Sequence, residues 1–187
     1  MGESQNAGPA IFGTFVGEIT AASAKALTTK ICFATQNGAS SLNLVLQSVG
    51  GGVAEGVFLY NFLRAQTIPL TIYYIGSVSS AAVLVYLAAP QRYATHNASF
   101  MIHRVHTTQQ AVASAELAAA TESLKIDDQR TDEILKSHLT LSRRQWRRYD
   151  QTYLWLTAQD DLGSGMVTNI GEFAPPIGAP IYDFALA

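Results

Sequence analysis

The chain has 187 residues, of which 48% are hydrophobic and only 14% charged, so one domain with a sizeable core is the expectation. A formal net charge of −2 argues against nucleic acid as the main partner, and a single cysteine, Cys32, excludes an internal disulfide and a cysteine-rich metal site. So low a charge content points to surface covered by other subunits.

Residues 1–10 are small and polar and are expected as a mobile tail. They contain no basic region leading into an apolar segment, so no secretory signal is expected and the chain is placed in the cytoplasm. Residues 11–17 alternate as a short strand. Thr20 is a candidate cap for a helix over 21–34, with Ala24, Leu27 and Ile31 on one face. Asn37-Gly38 is a turn. Residues 42–48 form a continuous apolar run, as in a sheet covered on both faces. Gly50-Gly51-Gly52 ends that strand and opens a helix over 53–65. A phosphate-binding loop would need a lysine that this turn lacks, which leaves a backbone that approaches a ligand closely, or simply a helix entry needing positive φ.

Residues 70–75 are apolar, β-branched and aromatic, and predict a buried strand; residues 83–89 predict a buried helix. Between them, Gly76-Ser77-Val78-Ser79-Ser80-Ala81-Ala82 is a turn that leaves a serine at a helix N-terminus. Unpaired N–H groups collect there, so that serine is either an N-cap or a nucleophile. No charge occurs between Arg64 and Arg92, yet Pro69 and the polar turn break the apolar stretch, so no membrane span is expected. Two short strands follow over 91–94 and 98–102, and His103 comes directly after. The other histidines are His96, His106 and His138.

Residues 109–138 form one long helical pattern whose first half is almost all alanine, fit for close packing against another chain. Ser142 is expected to cap a helix carrying Arg143, Arg144, Arg147 and Arg148 as a basic stripe, solvated or paired to Asp127 and Asp128. The region 174–187 holds Pro175, Pro176 and Pro180 and is expected as an extended surface tail.

Three stretches in order carry a family resemblance: the strand ending Gln47-Ser48-Val49-Gly50-Gly51, then Gly76-x-x-x-Ser80, then Met101-Ile102-His103. Together they resemble the proteolytic subunit of the Clp protease family, within the wider Clp and crotonase superfamily, from about Ile11 to Ile170. The resemblance implies an α/β fold of repeated β-β-α units in a single domain over 11–173. It implies a serine endopeptidase acting on unfolded polypeptides or peptides inside an oligomeric chamber. Ser80 would be the nucleophile, His103 the general base, and the Gly51 and Ala81 N–H groups the oxyanion hole. No metal or organic cofactor is implied. The partners implied are further copies of the chain in stacked rings and an ATP-dependent unfoldase.

The sequence departs from the family at several points. Val49 replaces a proline, and Arg104-Val105 replaces Gln-Pro after the histidine. Tyr153 stands where the family has the triad aspartate, two residues before Trp155; Asp150 is the nearby substitute, or a partner of Arg147. These departures keep open a weak or inactive scaffold subunit. A crotonase-type acyl-CoA enzyme is a third reading, against which the Ser80–His103 pairing argues.

Overall fold

The computed structural model describes residues 8–106 and 113–186. In chain order its elements are β1 (Ala10–Val16), α1 (Ala21–Gln36), β2 (Ser41–Ser48), α2 (Val53–Arg64), β3 (Leu70–Ser79), α3 (Ala81–Leu87), β4 (Gln91–Ala94) and β5 (Ser99–Ile102). Then come α4 (Ser114–His138), α5 (Arg143–Gln151), β6 (Leu154–Thr157), α6 (Ala158–Ser164), β7 (Asn169–Ile170) and β8 (Ile181–Asp183). The strands make one mixed α/β sheet in the order β6-β5-β3-β2-β1-β8, with β4 also on β3 and β7 on β4. Among the described strands only the β5–β6 pairing is antiparallel.

Parallel strands are covered on both faces and therefore read as unbroken apolar runs. Leu42, Leu44, Val45 and Leu46 of β2 are all at most 2% exposed. α3 is apolar all round and buried from Ala81 to Leu87, which makes it the central helix of the domain. The caps expected from the sequence are in place. Thr20 and Ser23 exchange bonds at the start of α1, and Ser142 and Gln145 do the same at the start of α5.

β3 departs from the expected boundaries. It does not stop at Gly76 but continues to Ser79, and α3 begins two residues before the predicted Val83. The chain gets past Gly76 by a bulge. Leu46 pairs with Tyr74 and Ser48 with Val78, so β3 spends two more residues than β2 over the same interval. The side-chain oxygen of Gln47 fills the broken ladder by accepting the Ser77 N–H at 2.7 Å. A Cβ on residue 76 would lie 2.3 Å from that oxygen and would push it off the Ser77 N–H. β3 also changes neighbours along its length. Thr71–Tyr74 pair with β4, whereas Ser77–Ser79 pair with β5.

The expected surface tail contributes to the core. β8 adds to the sheet beside β1, and Phe184 is 1% exposed. Phe184 lies where a side chain on Gly13 would be, 2.2 Å from an ideal Cβ, so the small residue in β1 makes room for the ring. Lys30 of α1 holds the segment through the Asp183 and Leu186 carbonyls. The long helix expected from Gln109 is described from Ser114; residues 109–112 lie outside the described residues. No described helix is long and apolar enough to cross a membrane.

Phe184→Ala empties a buried aromatic site and is expected to destabilise the domain by about 3–5 kcal/mol. Urea unfolding checks this, and a change within about 0.5 kcal/mol, the range of ordinary surface substitutions, would show that the C-terminal segment does not dock.

Candidate active site

Ser80 is the single residue between β3 and α3, with φ +56° and ψ −131°. Among the described residues it is the only non-glycine with positive φ. That region is costly for an L residue and is tolerated only where the surroundings impose it. Here they do. The Ser80 N–H donates to the Met101 carbonyl of β5 at 2.8 Å, and its carbonyl accepts from Val83 N–H at 3.0 Å. Gly50 presses on the turn from the other side: a Cβ there would be 2.7 Å from both the Ser79 oxygen and the Ser80 Cβ.

The serine occupies the N-cap position but makes no cap bond with its hydroxyl. Instead Ser80 Oγ lies 2.9 Å from Nε2 of His103. The N-cap reading of this serine is thereby set aside in favour of a hydroxyl facing an imidazole. The other ring nitrogen, His103 Nδ1, is 2.6 Å from the Arg104 carbonyl oxygen. A carbonyl can only accept, so Nδ1 carries the proton and Nε2 presents its lone pair to the serine. Burial lowers the His103 pKa below the ordinary imidazole range. The Arg104 carbonyl and Asp128 act in the opposite direction, while His106, with Nδ1 at 3.3 Å, adds to the lowering.

Ser80 and His103 open onto a cleft of about 260 Å³, whose lining includes Gly51, Ala81, Leu84 and Ile102. Gly51 is held close to the β1–α1 connection. The Gly50 carbonyl accepts from Ile19 N–H and the Gly52 N–H donates to the Ile19 carbonyl, both at 2.8 Å. A Cβ on residue 51 would stand 2.2 Å from that carbonyl oxygen, and its φ of +146° also requires glycine. The bridge uses groups on either side of Gly51 and does not engage the Gly51 N–H.

The two candidates for a third catalytic group lie apart from the Nδ1 proton. The Tyr153 ring centroid is 5.3 Å from that of His103, and the residue is about half exposed. Asp150 is paired neither to His103 nor to Arg147. It takes the Arg104 guanidinium, which also bonds Asp132 at 2.7 Å and stacks 4.7 Å from the Tyr149 ring centroid. The arginines of α5 are exposed, and Asp127 and Asp128 are engaged elsewhere, by Arg130 and by the Val105 N–H. No group of three or more His, Cys, Asp or Glu among the described residues could hold a metal ion.

The Clp protease family matches residues 11–173. The chain belongs to that family. It is 25% identical over 131 residues to the ATP-dependent Clp protease proteolytic subunit 2 of Treponema pallidum, covering 69% of this chain and 65% of that one. It is also 25% identical over 158 residues to the proteolytic subunit 1 of Rhodopirellula baltica, covering 82% and 69%. The chain thus spans about two thirds of the length of these relatives. A ClpP1 mutant from Listeria monocytogenes has the same fold, with a TM-score of 0.75 at 20% identity over 87% of this chain and 91% of that one.

Two residues that hold the surrounding fold together were not evident as such from sequence. Tyr74 is buried in β3. Its hydroxyl receives the N–H groups of Val78 at 2.7 Å and Ser99 at 3.1 Å and donates to the Ser99 carbonyl, joining β3 to β5 where their ladder is incomplete. Arg92 is buried without a carboxylate; its guanidinium donates to the carbonyls of Ala89, Gly165 and Met166. A tyrosine in an apolar strand and an arginine after an apolar helix gave local hints, but neither hint names a partner.

A depressed His103 pKa keeps the imidazole neutral through the neutral range, and only the neutral form can accept the serine proton. The rate of Ser80 modification by a fluorophosphonate is therefore expected to be flat near pH 7 and to fall on acidification, with a midpoint below about 6.5. A midpoint at or above that value would contradict the environment described.

Proposed function

We propose that the chain is a serine endopeptidase of the Clp type, cleaving unfolded polypeptides or peptides inside an oligomeric chamber, with low intrinsic activity. The observation that carries this reading is the 2.9 Å contact between Ser80 Oγ and His103 Nε2 at a strained strand-to-helix turn facing a cleft. Ser80 Oγ attacks the peptide carbonyl as His103 Nε2 takes its proton. The N–H groups of Gly51 and Ala81 receive the oxyanion. The imidazolium then protonates the leaving amine, and water, deprotonated by the same nitrogen, releases the acyl group from Ser80. None of these steps calls on a metal or organic cofactor.

The low activity follows from the third position. A triad aspartate both selects the imidazole tautomer and stabilises the imidazolium; in another serine protease its neutral replacement lowers turnover by about 10⁴. Here a neutral main-chain carbonyl performs the first task, and Tyr153 supplies no charge for the second.

Assembly into stacked homo-oligomeric rings, served by an ATP-dependent unfoldase in the cytoplasm, belongs to the same proposal. The exposed first turns of α4 and the exposed Phe33, Phe58, Leu117, Ile126 and Trp155 support burial against other copies. That no carboxylate among the described residues is bonded to His103 is the specific observation favouring the second reading, an inactive scaffold subunit. The hydrogen bond between Ser80 and His103 argues against a crotonase-type acyl-CoA enzyme, which has no use for a serine nucleophile.

Ser80→Ala is expected to abolish hydrolysis of short fluorogenic peptides while native mass spectrometry shows the assembly unchanged. Tyr153→Asp is expected to raise the same activity by at least about tenfold, because it introduces a charge beside the imidazole. If the wild type neither cleaves peptides nor reacts with a fluorophosphonate at any pH between 6 and 9, the scaffold reading replaces the peptidase.

A further inference from the structure

The peptide group joining Arg104 to Val105 has a protein partner at each end. Its carbonyl oxygen faces His103 Nδ1 at 2.6 Å, and its N–H donates to Asp128 Oδ1 at 2.9 Å. In a trans peptide these two groups point in opposite directions, and there are no cis bonds among the described residues. The unit therefore lies as a dipole between an imidazole and a carboxylate, with its negative end on the imidazole. We infer that Asp128 is a positioning residue for His103, acting through the Arg104–Val105 peptide and supplying from one peptide group away the negative charge that the third position lacks. The inference rests on the peptidase reading for its consequence but not for its geometry.

Three physical features support it. A carboxylate accepting the N–H polarises the amide and strengthens its carbonyl as an acceptor, since hydrogen bonds in a chain reinforce one another. Asp128 also acts on the imidazole directly, favouring its protonated form. Finally, the peptide is fixed from its other side. The Arg104 side chain is bound by Asp132, one turn further along α4, and by Asp150 of α5. Both ends of the segment are thus pinned to helices, and rotation of the peptide away from His103 would break charge-assisted bonds. The other groups facing His103 are Ser80, His106 and the Tyr153 ring, none of them a carboxylate. Arg104 is the adjacent cation, and its charge is already matched by Asp132 and Asp150.

Asp128→Asn keeps an oxygen to receive the Val105 N–H and removes only the charge. The test is an NMR titration of 13C-labelled histidine in the full chain, with fluorophosphonate labelling of Ser80 measured on the same samples. The His103 midpoint is expected to fall in Asp128→Asn, and the plateau labelling rate by at least about threefold, because a weaker base accepts the serine proton less readily. Asp128→Glu, which keeps the charge, is expected to remain within about twofold of wild type, inside that factor. Glu122→Gln, an equal charge change elsewhere on α4, should move neither quantity. An unchanged His103 midpoint in Asp128→Asn overturns the inference, whatever the labelling shows. A shifted midpoint without any Ser80 labelling in the wild type would uphold the bridge and count instead against the peptidase reading.

Discussion

The site depends on one tight reversal of direction, the turn at Ser80. A non-glycine residue at φ +56° costs on the order of 1–3 kcal/mol, and it persists because the chain on both sides cannot relax. On one side β3 is held between β2 and β5. On the other, α3 is buried along its whole length, so pulling it out to relieve the turn would expose seven residues of almost entirely apolar surface. At roughly 1.5–3 kcal/mol for each large aliphatic or aromatic side chain, that exposure far outweighs the strain. Gly50, which leaves no room for a Cβ against the turn, and the Ser80–Met101 bond complete the constraint. The geometry of the Ser80 turn is in this sense a by-product of core packing.

The sheet around the turn is irregular, and its polar groups are satisfied by side chains rather than by ladders. Unpaired backbone donors inside a protein cost about 1–3 kcal/mol each. The bulge before Ser77 and the exchange of β4 for β5 beside β3 create several, and Gln47 and Tyr74 take them up. Arg92 does the converse job beyond α3, collecting three carbonyls. Each is a long polar side chain that satisfies main-chain groups at a place where the regular pattern fails.

How much of this was legible in the sequence follows from the range of each interaction. The caps at Thr20 and Ser142, the glycine turns and the apolar runs are local and were read directly. The β-α alternation and the ordered trio around Gly51, Ser80 and His103 led to the family. The end of β3 was misplaced because Gly76 reads as a strand terminator; what keeps the strand going is Gln47, thirty residues away. The C-terminal strand was missed because its prolines resemble a surface tail, while its anchor, Phe184, fits a space made by Gly13. Asp150 was a natural candidate for the acid by helical spacing. The spacing could not reveal that Arg104, the residue after the histidine, would capture it. The sequence offers Asp128 only as a partner for the arginine stripe, since a contact with a main-chain N–H leaves no mark on side-chain pattern.

The chemistry that emerges is a serine–histidine pair whose imidazole is oriented by the main chain. In the proposed mechanism the Ser80 hydroxyl is activated by His103 across the 2.9 Å contact and by no other base. The most direct test is fluorophosphonate labelling followed by peptide mapping in the wild type and in His103→Ala. The account predicts a single adduct on Ser80 in the wild type and loss of at least about 99% of the labelling rate without the imidazole, as expected for removal of a general base. An adduct on Ser77 or Ser79, or labelling of Ser80 that is undiminished in His103→Ala, would contradict it.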